Sequence, residues 1–320
     1  MIVITGCAGF IGFHVTNYLL LKNIKIIGID SMDNYYPKIH KQKRLNILRK
    51  NKNFRFLKID LQNFDKLKGK LAKVKIDKII HLAAQPGVRI SVSKPHNTLH
   101  QNLNSFSNII EIARLKKVKK FIYASSSSVY GETKIYPFNE KDYKNIPVSV
   151  YGATKLSNEI IANSYSKNFN LKCIGLRFFT VYGPFGRPDM AYFSFLENLK
   201  KNNKINVFNN GLMKRDFTYI DDVVNGVYKV IKVKIKENNI VLNIGKGKPD
   251  NLMDLINLIE KYYHKNFKIS YSKVIPIGDI KKTFSNTKRA KKFINWKPKV
   301  NLKEGIKKFV DWYKTHHGNK

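Results

Sequence analysis

The sequence predicts an α/β fold, a doubly wound parallel sheet with a smaller C-terminal lobe. Three observations predict it: short apolar runs alternate with longer amphipathic stretches, a glycine-rich turn follows the first run, and the alternation lapses after about residue 183. Strands buried on both faces read as continuous apolar runs, and their alternation with helix-length stretches implies βαβ units.

Taken in order, the strands are expected at 2–4, 24–29, 54–59, 78–81, 121–124 and 171–176. Helices are expected over 11–21, 102–115 and 154–166, where apolar residues recur at helical spacing. Beyond residue 183 one late strand candidate, 240–244, and a terminal helix around 302–313 stand out. We expect a nucleotide-binding domain over residues 1–183 and a substrate-binding lobe over 184–320, with the 240–244 strand as the segment that can return to the main sheet.

Composition narrows the function. At 320 residues and 43% hydrophobic, the chain can bury a sizeable core. Lys and Arg number 60 against 22 Asp and Glu, a formal charge of +38. Of the 60, 51 are Lys and only nine Arg, and the excess is even: +18 over residues 1–160 and +20 over 161–320. Phosphate and base recognition favours Arg forks clustered on one face, so no nucleic-acid partner is expected. The lysines are expected on solvent-facing surfaces such as 66–75, 116–120 and 229–236. Two cysteines exclude a disulfide framework and any Cys-rich metal site. No apolar run reaches the roughly 18–20 residues that span a bilayer, so no membrane partner and a cytoplasmic location are expected.

Residues 5–12 read Thr-Gly-Cys-Ala-Gly-Phe-Ile-Gly, placing Gly6, Gly9 and Gly12 between the first strand and the first helix. Backbone without Cβ atoms can approach a pyrophosphate, and the helix N-terminus offers free N–H donors. Asp30 ends the second strand, 21 residues past Gly9. That spacing suits a carboxylate that accepts the adenosine ribose hydroxyls. Residues 31–36, Ser-Met-Asp-Asn-Tyr-Tyr, hold no base for a 2′-phosphate, so the fold is expected to be Rossmann-type and the cofactor NAD. Asp60, after the third strand, is either a partner of the adenine or a strand-end cap. Cys7 is expected to fill space beside the turn.

Tyr151 and Lys155 form a Tyr-x-x-x-Lys pair on one helix face. A phenol titrates near ~10 and is a poor base at neutral pH; a nearby ammonium and a nicotinamidium should both favour the phenolate and lower that value. Tyr151 could then exchange a proton with a sugar hydroxyl. Ser125, Ser126, Ser127 and Ser128 close the fifth strand, where ligands of open parallel sheets collect. Ser126 is the expected relay.

Together these residues resemble the extended short-chain dehydrogenase/reductase family of NAD-dependent epimerases and dehydratases, and within it the UDP-glucuronate 4-epimerase group. The likeness runs through GCAGFIGFHV (6–15), GIDSMDNYY (28–36), AAQPGVR (83–89), SSSSVYG (125–131), PVSVYGATK (147–155), LRFFTVYGPFGRPDM (176–190) and MKRDFTYIDD (213–222). Ile90, Phe185 and Pro276-Ile277 depart from the usual Tyr, Trp and Gln-Pro. The resemblance implies cofactor contacts at Gly6, Gly9, Phe10, Ile11, Gly12, Asp30, Asp60, Leu82, Ala83, Asn102, Ser125, Tyr151, Lys155 and Phe179. It implies catalysis by Ser126 and Tyr151, with Lys155 orienting. Gln85, Arg89, Ser126, Ser127, Ser128, Thr180, Arg187, Arg215 and Asp279 match substrate-facing positions.

The implied activity interconverts UDP-glucuronate and UDP-galacturonate through a 4-keto intermediate, with no net redox, in polysaccharide precursor supply. Because Arg is scarce, Arg89, Arg187 and Arg215 are informative: a guanidinium fork suits a diphosphate or carboxylate. Arg215 is assigned to the diphosphate, and Arg187, Thr180 and Ser126–Ser128 to the uronate. Competing readings are a 4-epimerase of neutral UDP-sugars and a UDP-glucuronate decarboxylase, whose relatives usually carry an acid where Ser127 and Ser128 stand. A non-catalytic NAD-sensing or RNA-binding relative would tend to lack the Tyr/Lys pair. The resemblance also implies a homodimer, with helices 102–115 and 151–166 pairing across a two-fold axis.

Overall fold

A computed structural model describes residues 1–142 and 146–317. Seven parallel strands form its central sheet. They run Ile2–Thr5, Ile26–Asp30, Phe54–Lys58, Lys78–His81, Lys120–Ser126, Cys173–Phe178 and Asn239–Ile244 in chain order. Across the sheet the order is third, second, first, fourth, fifth, sixth, seventh. The winding reverses between the first and fourth strands, and a crevice opens there at the strands' carboxyl ends.

The strand side chains alternate between two cores. Ile2 and Ile4 face a cluster with Phe13, Val15 and Leu19 of the helix Phe10–Leu21 and Val223, Val227 and Val230 of the helix Ile220–Lys232. Val3, between them, faces the other side with Phe106, Ile109 and Ile110 of the helix Ser105–Leu115 and Ala162 of the helix Val150–Phe169. That period of two, with both faces apolar, is what a sheet covered by helices on each side requires.

Three details differ from the expected elements. The helix expected from residue 102 begins in a π-type turn, His100–Asn104, before the regular stretch Ser105–Leu115. The Tyr/Lys helix starts earlier, at Val150, because Ser149 accepts from the Gly152 N–H at 3.1 Å and caps it. Lys120 is not on a solvent-facing surface. It is buried, and its ammonium donates to the carbonyls of Val230 (2.9 Å), Ile231 (3.2 Å) and Val233. These carbonyls end the helix Ile220–Lys232, where a cation meets both open acceptors and the negative end of the helix dipole.

After residue 183 the chain visits both regions. The helix Ile220–Lys232 packs on Phe10–Leu21, and Asn239–Ile244 joins the sheet beside Cys173–Phe178. The remainder forms a second layer over the strand ends, with small sheets such as Lys204–Phe208 paired with Lys268–Ser272. Asp216 ties it to the main sheet. Fully buried, its carboxylate accepts from the N–H groups of Lys246, Gly247 and Ser285 and from the Ser285 and Thr218 hydroxyls.

One buried ion pair braces the sheet directly behind the crevice. Arg177 meets Glu159 through two bonds, at 2.9 and 2.7 Å, and stacks over Tyr130. Glu159 also accepts from the Ser125 hydroxyl. Removing one charge would leave the other buried alone. Glu159→Gln is therefore expected to cost about 3 kcal/mol of unfolding free energy, read from urea denaturation midpoints at constant slope.

Candidate active site

The glycine turn shows why its residue types are needed. Gly6 has φ +70°, and a Cβ there would lie 2.7 Å from the Ala83 backbone nitrogen. A Cβ at Gly12 would lie 2.0 Å from the Gly6 carbonyl oxygen. The turn therefore packs backbone against backbone, and the helix that follows begins at Phe10 with no side chain capping it. Its first N–H groups are left open toward the crevice, where an anion would satisfy them.

Asp30 is buried beside this turn. One carboxylate oxygen accepts from the Ala8 N–H at 3.1 Å and the other from the Met32 N–H at 2.9 Å. Burial raises its pKa, opposed by Lys41 and by the two backbone donors. Lys41 corrects the expectation that no base stands near. It lies beyond residues 31–36, on the helix Lys38–Arg49, and its ammonium comes within 3.9 Å of Asp30 and 2.5 Å of Asp33.

A first cavity follows the turn and is lined by Gly6, Gly9, Phe10, Ile11, Gly12, Asp30, Asp60, Leu82, Ala83, Ser125, Ser126, Tyr151, Lys155, Phe179 and Arg187, among others. A second, of about 650 Å³, is lined by Arg89, Ser126, Ser127, Ser128, Tyr151, Phe179, Thr180, Arg187, Arg215 and Asp279, with others. The two meet at Ser126, Tyr151, Phe178, Phe179, Arg187, Met190 and Tyr35. Nearly every residue singled out from the sequence thus reaches one cavity.

Gln85 and Asn102 line neither. Asn102 sits behind the loop, accepting from the Gln85 N–H at 2.7 Å and donating to the Gln85 carbonyl and the Thr154 hydroxyl. The Gln85 side chain folds onto the Pro86 carbonyl. Both brace the crevice wall rather than face a ligand. Ser125 lines the first cavity, but its hydroxyl is given to Glu159. Asp60 lines the same cavity while accepting from the Gln62 N–H at 3.0 Å, so it is a strand-end cap with its carboxylate at the cavity wall.

Tyr151, Lys155 and Ser126 meet where the cavities join. The Ser126 hydroxyl accepts from the Ser128 N–H at 3.1 Å and donates to the Ser128 hydroxyl. Lys155 donates to the Ala124 carbonyl at 3.1 Å, with its ammonium 5.9 Å from the Tyr151 ring centre. The expected lowering of the Tyr151 pKa by Lys155 is not what this geometry produces. Burial raises the phenol above its ordinary value, and the forces opposing it come from Arg187 and Ser126. Lys155, fully enclosed, is itself pushed down to about 8 by burial.

The arginines expected to face the substrate are paired. Arg187 holds Asp189 with two bonds, at 3.0 and 2.5 Å, and Asp189 also accepts from the Tyr35 hydroxyl at 2.8 Å. Arg89 and Arg215 both approach Asp279, at 3.2 and 3.6 Å. Thr180 reaches the same cavity because the Thr180–Tyr182 strand pairs with Phe217–Tyr219, one residue past Asp216.

Sequence reasoning missed Arg44. Buried on the helix Lys38–Arg49, it donates to the carbonyls of Ala8 (3.0 Å), Phe185 (3.0 Å) and Gly186 (2.7 Å) and to the Tyr36 hydroxyl (2.7 Å). It thereby ties the glycine turn to the loop carrying Arg187. The rarity of arginine was a signal for it, but rarity does not separate a ligand fork from a brace.

Known proteins resemble the whole chain. The family model described as "NAD dependent epimerase/dehydratase family" matches residues 2–245. An uncharacterized protein of Methanocaldococcus jannaschii is 45% identical over 316 residues, covering 98% of this chain and 95% of that one. A UDP-glucuronate 4-epimerase of Thermodesulfobacterium geofontis is 37% identical over 316 residues, covering 98% and 96%. The crystal structure of a UDP-glucuronic acid 4-epimerase from Bacillus cereus, in complex with UDP-glucuronic acid and NAD, superposes with a TM-score of 0.89 at 35% identity. It covers 98% of this chain and 99% of its own.

The buried ammonium of Lys155 has a consequence for stability. Its folded pKa of about 8 lies below the ordinary lysine value of 10.5, so between these values the unfolded chain binds more protons and stability rises with pH. Below pH 8 the full cost of burying the charge applies. Lys155→Met is expected to be more stable than the parent by about 2–3 kcal/mol at pH 7. The gap should shrink as pH rises from 8 to 10.5, as read by urea denaturation across that range.

Proposed function

We propose, for a chain that belongs to the NAD dependent epimerase/dehydratase family, the activity of an NAD-dependent 4-epimerase that interconverts UDP-glucuronate and UDP-galacturonate. The observation that carries this reading is that Ser126, Tyr151 and Arg187 line both cavities. A sugar whose diphosphate reaches into the second cavity would present its ring to the phenol at the junction.

The first cavity fits the cofactor. Its open helix N-terminus suits a pyrophosphate and Asp30 a ribose, while Lys155 and Tyr151 stand at the end nearest the second cavity. Held there by the glycine turn, Asp30 and Lys155, NAD would supply a hydride acceptor and donor for C4 and a positive charge that favours the Tyr151 phenolate. Tyr151 accepts the C4 hydroxyl proton and later returns it, with Ser126 bridging phenol and sugar oxygen. Lys155, fixed on the Ala124 carbonyl, orients the ribose and phenol. Between the two transfers the 4-keto sugar turns about its diphosphate link, which Arg215 and Arg89 hold from the outer wall.

The uronate brings a hazard, because a 4-keto uronic acid is a β-keto acid and can lose CO₂. The hydroxyls of Ser127, Ser128 and Thr180 and the Arg187 fork are placed to fix the carboxylate out of line with the carbonyl. Arg187 would exchange Asp189 for it, one carboxylate for another. If instead Asp189 keeps the fork, the cavity is suited to a neutral sugar, which is the second reading. A dimer fits the same fold: Leu115, Ile160 and Phe169 are exposed on the helices Ser105–Leu115 and Val150–Phe169.

Separate incubations with UDP-glucuronate, UDP-glucose and UDP-N-acetylglucosamine test the reading. UDP-galacturonate should form from the first. Conversion of only the neutral sugars, or stoichiometric UDP-pentose, would overturn it, as would salt-sensitive RNA binding with no turnover of any of the three. Tyr151→Phe is expected to lower kcat by about 10³-fold with the dinucleotide still bound. Arg187→Ala should cut kcat/KM for UDP-glucuronate by about 10²-fold or more; unchanged turnover would remove its carboxylate role.

A further inference from the structure

A lysine beside the ribose end of a dinucleotide cavity ordinarily serves a 2′-phosphate. This chain has one, Lys41, its side chain only 6% exposed and lining the first cavity together with Asp30 and Asp33. It is not available. Its ammonium lies 2.5 Å from one Asp33 oxygen and 3.9 Å from Asp30. Its position is constrained further by Tyr36, whose ring centre is 5.3 Å away and whose hydroxyl is held by Arg44.

Asp33 is equally well placed. It stands in the loop after the second strand, and its other oxygen accepts from the Tyr35 N–H at 2.8 Å. Burial alone would raise its carboxyl, but Lys41 and the backbone donors together more than offset this and hold it below the ordinary range. The three groups together carry one net negative charge. A 2′-phosphate, with about two negative charges, would meet two carboxylates and a cation already spent on one of them. The two ribose hydroxyls of NAD need only acceptors.

We propose that Asp33 is a cofactor-specificity residue: by engaging Lys41 it withholds the one cation, among the described residues lining the ribose end, that could bind the 2′-phosphate of NADP. Selection of NAD then rests on an ion pair as well as on Asp30. Removing the Asp33 charge would free Lys41 and bring the local net charge to zero. The inference rests on the reading of the first cavity as a dinucleotide site and is independent of the sugar.

The test uses the purified protein equilibrated with equimolar NAD and NADP. Unbound nucleotide is removed, and the bound dinucleotides are released by acid and quantified by chromatography, with no UDP-sugar present. Asp33→Asn should raise the bound NADP-to-NAD ratio at least tenfold over the parent, and Asp33→Ala should do the same. Asp33→Asn combined with Lys41→Met should lose that gain. A ratio that moves less than twofold in both single variants, or a gain that survives loss of Lys41, overturns the inference. A shift in the ratio by a protein that epimerises no sugar would uphold the inference and sink the proposed activity; an unmoved ratio in an active epimerase would do the reverse.

Discussion

The close approach of two backbones at the centre of the sheet is the constraint on which the molecule's chemistry depends. Where Gly6 meets Leu82 and Ala83 there is no room for a side chain. The turns after the first and fourth strands therefore pack main chain to main chain. That contact sits at the winding reversal, so the connections leaving the two strands run to opposite faces of the sheet and leave a crevice between them. Asp30, Asp60 and Ser126 reach that crevice because they lie at, or just beyond, the carboxyl ends of parallel strands in register, and Tyr151 reaches it from the first turn of the helix Val150–Phe169.

A strongly basic chain must also place the few charges it buries. It does so largely with neutral acceptors. Lys120 closes a helix end, Arg44 gathers three carbonyls and a phenol, and Lys155 rests on the Ala124 carbonyl. Arg177 instead has a carboxylate, Glu159, and Arg187 has Asp189. The distinction follows from what each must do. Arg44 holds loops together and needs fixed geometry, which carbonyls supply. Arg187 stands at the cavity junction, where Asp189 balances its charge.

Tyr151 illustrates a competition the motif conceals. Spacing places Tyr151 and Lys155 on one helix face, and a nearby ammonium favours a phenolate. In the folded chain the same enclosure that gathers them raises the phenol and lowers the lysine. Burial dominates both shifts, and Arg187, thirty-six residues along the chain, is the cation that opposes it at the phenol. Enclosure by itself therefore favours the protonated phenol.

Much of this was legible in the sequence. The apolar runs located six of the sheet's strands and the seventh at Asn239–Ile244. The glycine turn, Asp30, the serine run and the Tyr/Lys pair all reach the two adjoining cavities, because strand-end position and helical spacing are local properties of the chain. What the sequence could not decide was partnership. Lys41 beside Asp33, Arg44 across two loops, Asp189 in the Arg187 fork, and Asn102 turned from the cavity toward Gln85 each join residues through space. Residue type and spacing determine which groups reach the crevice. Only the tertiary structure determines which are free to meet a ligand and which are already engaged, because hydrogen bonds and ion pairs form between neighbours in space, and burial sets their strength.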